Sequence, residues 1–475
     1  MNTTTIATRS IDELPGPKGV PLLGNLPQID PLQFHLSLEG WAREFGPLCR
    51  VRFGRNRTLL VSDPVLIGSL LRDRPDAFRR TSRSAMIFGE VLTTGVFSAE
   101  GDNWKRQRKL VMRALTPEVI RNFFPTLNSL TLRLLARWQT AVAAGRTVNV
   151  LRDLKAWTLD VTIALAMGQD INTLEHDDNP LQRDIEAIFR LVARRLTKPF
   201  PHWRYFKLPG DRAADACAAR IDAAVHGFIA QTRKRLDEHP ELRAKPTNLL
   251  EAFVAARDEP DSEFTDRHVL GNALTMVFAG EDTTSNTIAW LMNFVARDPK
   301  VAALIEQETD SVLGPAAVLQ EFGALDRFTY IDACIDEAMR LKPVAPFLGL
   351  ETNNDMVIGD VRVEKGTPVM VIMRLAGRQE ADFPQAETFR PERWLGEKST
   401  TGGDPARKLF PFGGGPRFCP GRYLALAEIK MAMSMVARNF TLEVDADAAP
   451  VKELFTFTMT PSALPVHLMA RAQKT

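Results

Sequence analysis

The stretch PFGGGPRFCPGRYLALAEI, residues 411–429, decides how this sequence reads. Among 475 residues there are four cysteines, and one of them, Cys419, sits between Phe418 and Pro420, just after three consecutive glycines. Pro420 lacks a backbone N–H and has φ already set, which suits the first position of a helix. That reading places Cys419 at the N-cap, where free N–H groups and the positive end of the helix dipole favour a thiolate. Gly413, Gly414 and Gly415 permit a tight turn that a flat group can approach closely. Arg417 adds a positive charge, and RYLALAEIKMAMSMVARNF is apolar enough to be a buried helix. The loop therefore describes a sulfur of lowered pKa on a rigid perch.

Working outward, the other cysteines, Cys49, Cys217 and Cys334, lie far apart and form no C-x-x-C pair, so they read as small buried hydrophobes. Hydrophobic residues make up 45% of the chain and charged residues 25%, with a formal net charge of +2. Those proportions belong to a globular protein and give no general attraction to nucleic acid. MNTTTIATRSIDELPGPKG has no apolar targeting core, and no apolar run reaches the ~18 residues of a membrane span. A soluble, cytoplasmic chain without a membrane anchor is expected.

Most of the chain reads as helix. Leu127–Gly145 carries apolar residues at intervals of three and four, with Gly145 as a C-terminal cap. Asp266–Pro299 is longer, capped by Thr265 and stopped by Pro299, and apolar enough to cross a whole domain. Strand pairs are expected at Arg50–Asp63, with Gly54 and Asn56 in the turn, at Met356–Met373 and at Phe455–Arg471. The proline-rich residues 14–31 read as a stiff extended lead-in. The fold class is mainly α: one domain over 1–475, a large helical body with a long central helix and a smaller β-rich part.

Two chemical uses compete for the Cys419 sulfur. A nucleophile wants a histidine partner, and none of the seven histidines sits in a recognisable pairing motif, although folding can still bring one near. A lone thiolate, by contrast, serves as axial ligand to a haem iron without a second protein ligand.

Here the residues resemble a known family. Phe412–Gly421, F-G-G-G-P-R-F-C-P-G, is similar to the cysteine loop of the cytochrome P450 superfamily, the haem-thiolate monooxygenases, and Ala425 and Glu428 continue the pattern. The resemblance implies Cys419 as the iron ligand, with Phe412, Gly415, Arg417 and Gly421 around the haem. Three further segments agree in order. A-G-E-D-T-T, residues 279–284, puts acid and hydroxyl groups in the middle of an apolar helix, where they are costly unless paired or functional. The family uses such an acid–alcohol pair to deliver protons, which implies Asp282 as proton relay, Thr283 at the oxygen, and Ala279 and Gly280 leaving room for it. IDEAMRLKP and FRPERW imply a buried structural triad of Glu337, Arg340 and Arg393. NWKRQRKLVMRAL, residues 103–115, supplies the family's W-x-x-x-R as Trp104 and Arg108, implying contact with a haem propionate. The remaining cations of that run, Lys105, Arg106, Lys109 and Arg113, are expected to form a basic docking face for an acidic redox protein.

Two features depart from the pattern. LGLETNND, around Leu350, carries no cation, so no propionate partner is expected from that strand. The lead-in PGPKGVPLLGN resembles membrane-tethered members, whereas the start MNTTTIATRS reads as a soluble, bacterial-type member.

The resemblance implies a monooxygenase that uses haem b and O2. Electrons would come ultimately from NAD(P)H through a separate ferredoxin, flavodoxin or reductase, since no fused reductase is visible. The substrate is expected to be apolar: a fatty acid, terpenoid, steroid or small aromatic, lined by Phe97, Phe278, Phe347, Leu348 and Phe457. A monomer that binds no nucleic acid is expected. The rivals are a peroxygenase driven by hydrogen peroxide, disfavoured by Asp282 and Thr283, and a non-catalytic haem-thiolate sensor.

Overall fold

The long apolar run becomes the axis of the molecule. Asp266–Val295 is one helix of 30 residues, about 45 Å long at 1.5 Å per residue. At its start the Thr265 backbone N–H donates to His268 Nδ1 (3.1 Å). The helix ends short of Pro299, which instead opens the next one, Pro299–Leu313, behind an Asp298 cap. A proline fits the first turn because its missing N–H has no partner there in any case. The proline therefore marks a beginning where the sequence suggested a stop. The structure, a computed structural model, describes residues 8–91, 94–176, 179–198, 200–396, 405–445 and 447–471. The outermost N-terminal residues read above lie outside this set.

Helices Val150–Met167, Pro209–Glu238, Leu249–Asp258, Thr329–Leu341 and Arg422–Asn439 pack around the central helix. The helix expected from Leu127 begins ten residues earlier, spanning Pro117–Ala143, because Thr116 caps it by accepting from the Val119 N–H. It tolerates Pro125 in its interior, and Gly145 follows it with φ +65. Among the described residues, no helix is long and apolar enough to cross a membrane.

The β part is a mixed five-stranded sheet in the order Leu48–Phe53, Asn56–Val61, Pro368–Ile372, Phe347–Thr352, Phe78–Arg80. The first hairpin turns on Gly54 and Arg55, with Asn56 already paired to Phe53. Met356–Met373 does not form one pair. Met356–Ile358 and Val361–Val363 make a hairpin, and Pro368–Ile372 joins the larger sheet. The C-terminal stretch also divides. Glu453–Phe455 pairs with Met459–Pro461, and Val466–Ala470 pairs with Phe440–Val444. The lead-in is folded rather than simply extended: Val20 bridges Gly24, and Asn25 Oδ1 accepts from the Arg52 N–H (2.8 Å).

One large core fills the helical body, and two smaller ones lie on either side of the sheet. Cys49 and Cys334 are buried in these cores, but Cys217 is half-exposed and its sulfur faces Arg220 Nη2 (3.3 Å).

Candidate active site

The cysteine loop folds back on itself. The Cys419 N–H donates to the Phe412 carbonyl (2.8 Å) and the Phe418 N–H to the Gly415 carbonyl (3.1 Å). The following helix starts later than Pro420 suggests: its N-cap is Gly421 and its first residue Arg422. Cys419 therefore precedes the cap, and its sulfur receives the Gly421 N–H. Burial pushes the thiol up, against that N–H and the nearby Arg108 charge. The sequence pointed to a lowered pKa from the N–H groups and the positive charge; burial, which the sequence does not show, acts the other way and is the larger effect. Metal coordination deprotonates a thiol outright. Gly415 has φ +62, and a Cβ there would lie 2.1 Å from the Leu71 carbonyl oxygen. The close approach this glycine permits is thus to the end of helix Pro64–Arg72.

Four arginines converge beside the loop. Arg417 Nη2 donates to Glu100 Oε2 (2.6 Å) and to the Ala99 carbonyl (2.6 Å), and its guanidinium lies over the Trp104 ring. Arg108 Nη2 donates to the Phe418 carbonyl (2.6 Å). Arg80 Nε donates to the Phe97 carbonyl (2.8 Å), and its backbone N–H to Glu100 Oε1 (3.1 Å). Arg74 is buried, and the charges of Arg74, Arg80, Arg417 and Glu100 act on one another. Burial pushes Arg80 down to about 9 and Arg417 down to about 10, with the neighbouring arginines adding to the fall and Glu100 opposing it. Among the described residues, Arg74 Nε, Arg74 Nη2 and Arg417 Nε are buried with no hydrogen-bond partner. One carboxylate among four guanidinium groups leaves a buried positive excess, which is costly unless another anion is bound.

The middle of the central helix divides its residues between two faces. Ala279 is exposed, Thr283 one turn on is half-exposed, and Thr283 Oγ1 donates to the Ala279 carbonyl (2.9 Å). These two, with half-exposed Gly280 beside them, form an open stripe in an otherwise buried segment. The Cβ direction of Gly280 points instead at a neighbouring helix. A Cβ on Gly280 would lie 2.0 Å from Thr162 Oγ1, so its missing side chain lets helix Val150–Met167 pack close. Asp282 turns inward, where Thr458 Oγ1 donates to Oδ2 and Lys155 Nζ lies 3.3 Å from Oδ1. Thr284 meets Glu428 of the cysteine-loop helix, whose carboxyl burial pushes up to about 8.

Glu337, Arg340 and Arg393 come together. Both Glu337 oxygens accept from Arg340 (2.8 and 2.7 Å), and Oε1 also accepts from Arg393 Nε (3.0 Å). Trp394 Nε1 donates to Oε2 (2.9 Å). Arg340 Nη1 then reaches the carbonyls of Gly377 and Ala386, tying down the segment that leads toward the loop.

The aromatic candidates separate. Phe457 stacks on Phe189 (4.9 Å between centroids), which also meets Phe278, while Phe88 and Phe97 pack on each other and on Phe457. Phe347 is elsewhere, against Phe34 and Phe455. Leu348, on the opposite side of that strand, packs on the core beneath the sheet.

A family model described as Cytochrome P450 matches residues 14–467. The chain is a cytochrome P450. It is 29% identical to the human mitochondrial 25-hydroxyvitamin D-1 alpha hydroxylase over 96% of this chain and 92% of the relative. It is 25% identical to the chloroplastic protein LUTEIN DEFICIENT 5 of Arabidopsis thaliana, covering 92% and 74%. A self-sufficient cytochrome P450 monooxygenase of Aspergillus kawachii is 25% identical over 98% of this chain but only 44% of its own length. The protein is thus an oxygen-incorporating oxidoreductase of a family that uses haem, O2 and redox partners.

The residues of this P450 fit the haem. Its two propionates would supply the anions that the arginine group lacks, and the unpartnered nitrogens of Arg74 and Arg417 are the donors left for them. Arg74 and Arg80 were not singled out by sequence. Arg80 stands directly opposite Leu350 in the sheet, so the neighbouring strand supplies the cation that LGLETNND lacks. Phe189, Lys155 and Thr458 were also missed. Each reaches the site through a contact between segments far apart in sequence, which no local pattern encodes.

Proposed function

We propose that this cytochrome P450 hydroxylates an apolar organic substrate, drawing its electrons from a separate redox protein. When bound, haem b supplies an iron that activates O2 and inserts one oxygen atom into a C–H bond. Cys419 holds that iron from the loop side. Arg108, Arg417, Arg80 and Arg74 hold the propionates, and Trp104 keeps the Arg417 guanidinium in place by stacking under it. The observation that carries this reading is the buried group of arginines around the single carboxylate Glu100, beside the cysteine loop.

Ala279 and Thr283 border the oxygen space, where Thr283 Oγ would hand on a proton; Asp282, whose carboxylate faces Thr458 and Lys155, would have to turn from them to relay one. Phe88, Phe97, Phe189, Phe278 and Phe457 form an apolar wall that excludes water and orients the substrate. Fatty acid, terpenoid, steroid and small aromatic compounds all match such a wall. The human relative's printed name, a hydroxylase of 25-hydroxyvitamin D, favours starting with the steroid-like members.

The exposed face of helix Gly101–Ala114 presents Lys105, Arg106, Lys109 and Arg113 as the dock for an acidic ferredoxin, flavodoxin or reductase fed by NAD(P)H. Lys105 and Arg106 already pair with acids of this chain, Asp76, Asp102 and Glu263, so Lys109 and Arg113 carry more of the free charge. A monomer in the cytoplasm is proposed on the sequence reading alone, and cell fractionation tests the compartment, since two relatives are named for organelles.

The first test is the reduced carbon monoxide complex, which shows the thiolate-shifted Soret band if Cys419 is the ligand and an unshifted band in fresh protein if it is not. Spectral titration with a panel of apolar compounds then ranks substrates. Turnover with NADPH and a generic redox pair separates a monooxygenase from a sensor, which forms no product.

A further inference from the structure

Glu100 is the carboxylate around which the propionate-binding arginines gather, and three chain segments meet on it. It is the N-cap of helix Gly101–Ala114, and its backbone carbonyl accepts from the Trp104 N–H (3.3 Å). Its side chain does not cap that helix. Instead Oε2 accepts from Arg417 Nη2 of the cysteine loop (2.6 Å). Oε1 accepts from the backbone N–H of Arg80, at the end of strand Phe78–Arg80 (3.1 Å).

These contacts fix Arg417 on several sides. Its Nη2 also donates to the Ala99 carbonyl (2.6 Å), and its guanidinium lies 4.5 Å from the centroid of the Trp104 ring. With Nη2 taken, Nε is left buried and without a hydrogen-bond partner among the described residues. The contact with Glu100 therefore decides which edge of the guanidinium stays available to a propionate.

Charge gives Glu100 a second effect. Its carboxylate acts on Arg74, Arg80 and Arg417 alike, and Arg108 adds a fourth positive charge beside Arg417. Two propionates together with Glu100 would leave one net positive charge among the four arginines, and without Glu100 there would be two. The Glu100 side chain is 24% exposed against 5% for Arg417, so water screens only part of its charge. A negative charge held near a haem favours the oxidised, more positive iron, and its removal favours the reduced one.

We infer that Glu100 is a positioning residue and fixed counter-charge of the propionate site: it places Arg417 and holds down the reduction potential of the haem. The inference rests on the haem-thiolate reading of Cys419, and it goes beyond that reading by naming what tunes the bound group.

The test uses the haem-loaded enzyme, with the potential read by mediated spectroelectrochemical titration and haem retention by transfer to an acceptor protein. Glu100→Gln removes the charge and keeps an acceptor for Arg417. It is expected to shift the reduction equilibrium ~3–10-fold toward reduced haem, which is ~30–60 mV at 59 mV per tenfold. Glu100→Asp keeps the charge but falls one methylene short of Arg417. Its potential should stay within ~2-fold of wild type, while haem leaves ~10-fold faster because a charge-assisted contact is lost. Glu100→Ala is the second variant, free of any amide that could turn its N–H groups toward Arg417, and should raise the potential as Gln does. An unchanged potential in the haem-loaded Gln and Ala variants overturns the counter-charge. A shift in Glu100→Asp as large as in Glu100→Gln does the same, since a lost contact then explains both. Haem release from Glu100→Asp at the wild-type rate overturns the positioning role. The carbon monoxide spectrum keeps the two readings apart. An unshifted band in the fresh wild type sinks the Cys419 assignment itself, whereas a shifted band with unmoved potentials sinks only the role of Glu100.

Discussion

Replacing Gly280 with alanine separates two explanations of the same glycine, one as space for oxygen and one as a helix contact. The added Cβ would lie 2.0 Å from Thr162 Oγ1, 2.7 Å from Cγ2 and 2.8 Å from Cβ, all closer than real Cβ contacts come. Thr162 is held in the packed face of its helix, so relief requires the two helices to move apart. Overpacking of this kind costs ~1–3 kcal/mol, whereas glycine to alanine in a helix interior returns ~1 kcal/mol. The contact is severe enough to take the upper figure, leaving a net loss of ~2 kcal/mol. Thr162→Ala removes the two nearest atoms, and because Thr162 Oγ1 is buried without a partner, that change alone should be nearly neutral. The double variant is then expected to recover ~1 kcal/mol or more, a coupling that a double-mutant cycle isolates. Denaturant unfolding followed by tryptophan emission and by haem release gives the four values. Gly280→Ala at wild-type stability, with impaired oxygen binding and no coupling to Thr162, would refute the helix-contact reasoning.

Arg80→Met should weaken haem retention. Losing one charge-assisted hydrogen bond of ~1.5–3 kcal/mol corresponds to ~10–100-fold faster haem transfer to an acceptor protein, and an unchanged rate removes Arg80 from the propionate group. Burial pushes the Glu453 carboxyl up, but the His35 hydrogen bond and the charges of Arg374 and Lys342 outweigh it and hold it well below the usual range. A depressed carboxylate contributes stability above its unfolded pKa of ~4.3 and loses it as pH falls through the folded value. Glu453→Gln should therefore be less stable than wild type at pH 7, with a smaller stability loss below about pH 4, as read by denaturant titration across pH. Charge reversal at Lys109 and Arg113 should slow reduction by an acidic partner at ~10 mM salt and lose its effect near ~1 M, where screening shortens to ~3 Å. A salt-independent effect argues against a docking role.

What could be read from the sequence follows from how far apart the informative residues lie. The central helix was legible because its apolar run and Thr265 cap are local, and so was the Glu337–Arg340 pair, three residues apart on one helical face. Helix starts were less so. Ile120, Phe123, Phe124 and Leu127 carry the three-and-four spacing upstream of Leu127, but Pro125 inside that run reads locally as a breaker, which hid the true start at Pro117 behind Thr116. Three strand-bearing stretches were placed, but Phe78–Arg80 and Phe440–Val444 were not, and neither were the partners, since Val466–Ala470 and Phe440–Val444 join across more than twenty residues that contain another hairpin. The same limit hid Arg80. Alternation along Phe78–Arg80 sends neighbouring side chains to opposite faces, and Arg79 bonds Glu351 on one of them. Only the register with the strand around Leu350 turns Arg80 toward the site.

Glycine shows a different kind of limit. A glycine in a functional motif says that something comes close, and the sequence has no means of saying what. At Gly415 and Gly280 the natural guess was a ligand, because the surrounding residues resemble a ligand site. In both places the near neighbour is protein: the Leu71 carbonyl and the Thr162 hydroxyl. The consequence reaches the chemistry. Gly280 is half-exposed, but its Cβ direction belongs to the helix contact, so a side chain added at Ala279 rather than at Gly280 is what enters the space for oxygen. Ala279→Val should then narrow that space while leaving the helix pair intact, which Gly280→Ala cannot do. The two substitutions, one residue apart, are expected to fail in opposite ways: the first in oxygen and carbon monoxide binding at wild-type stability, the second in stability with the ligand space unchanged.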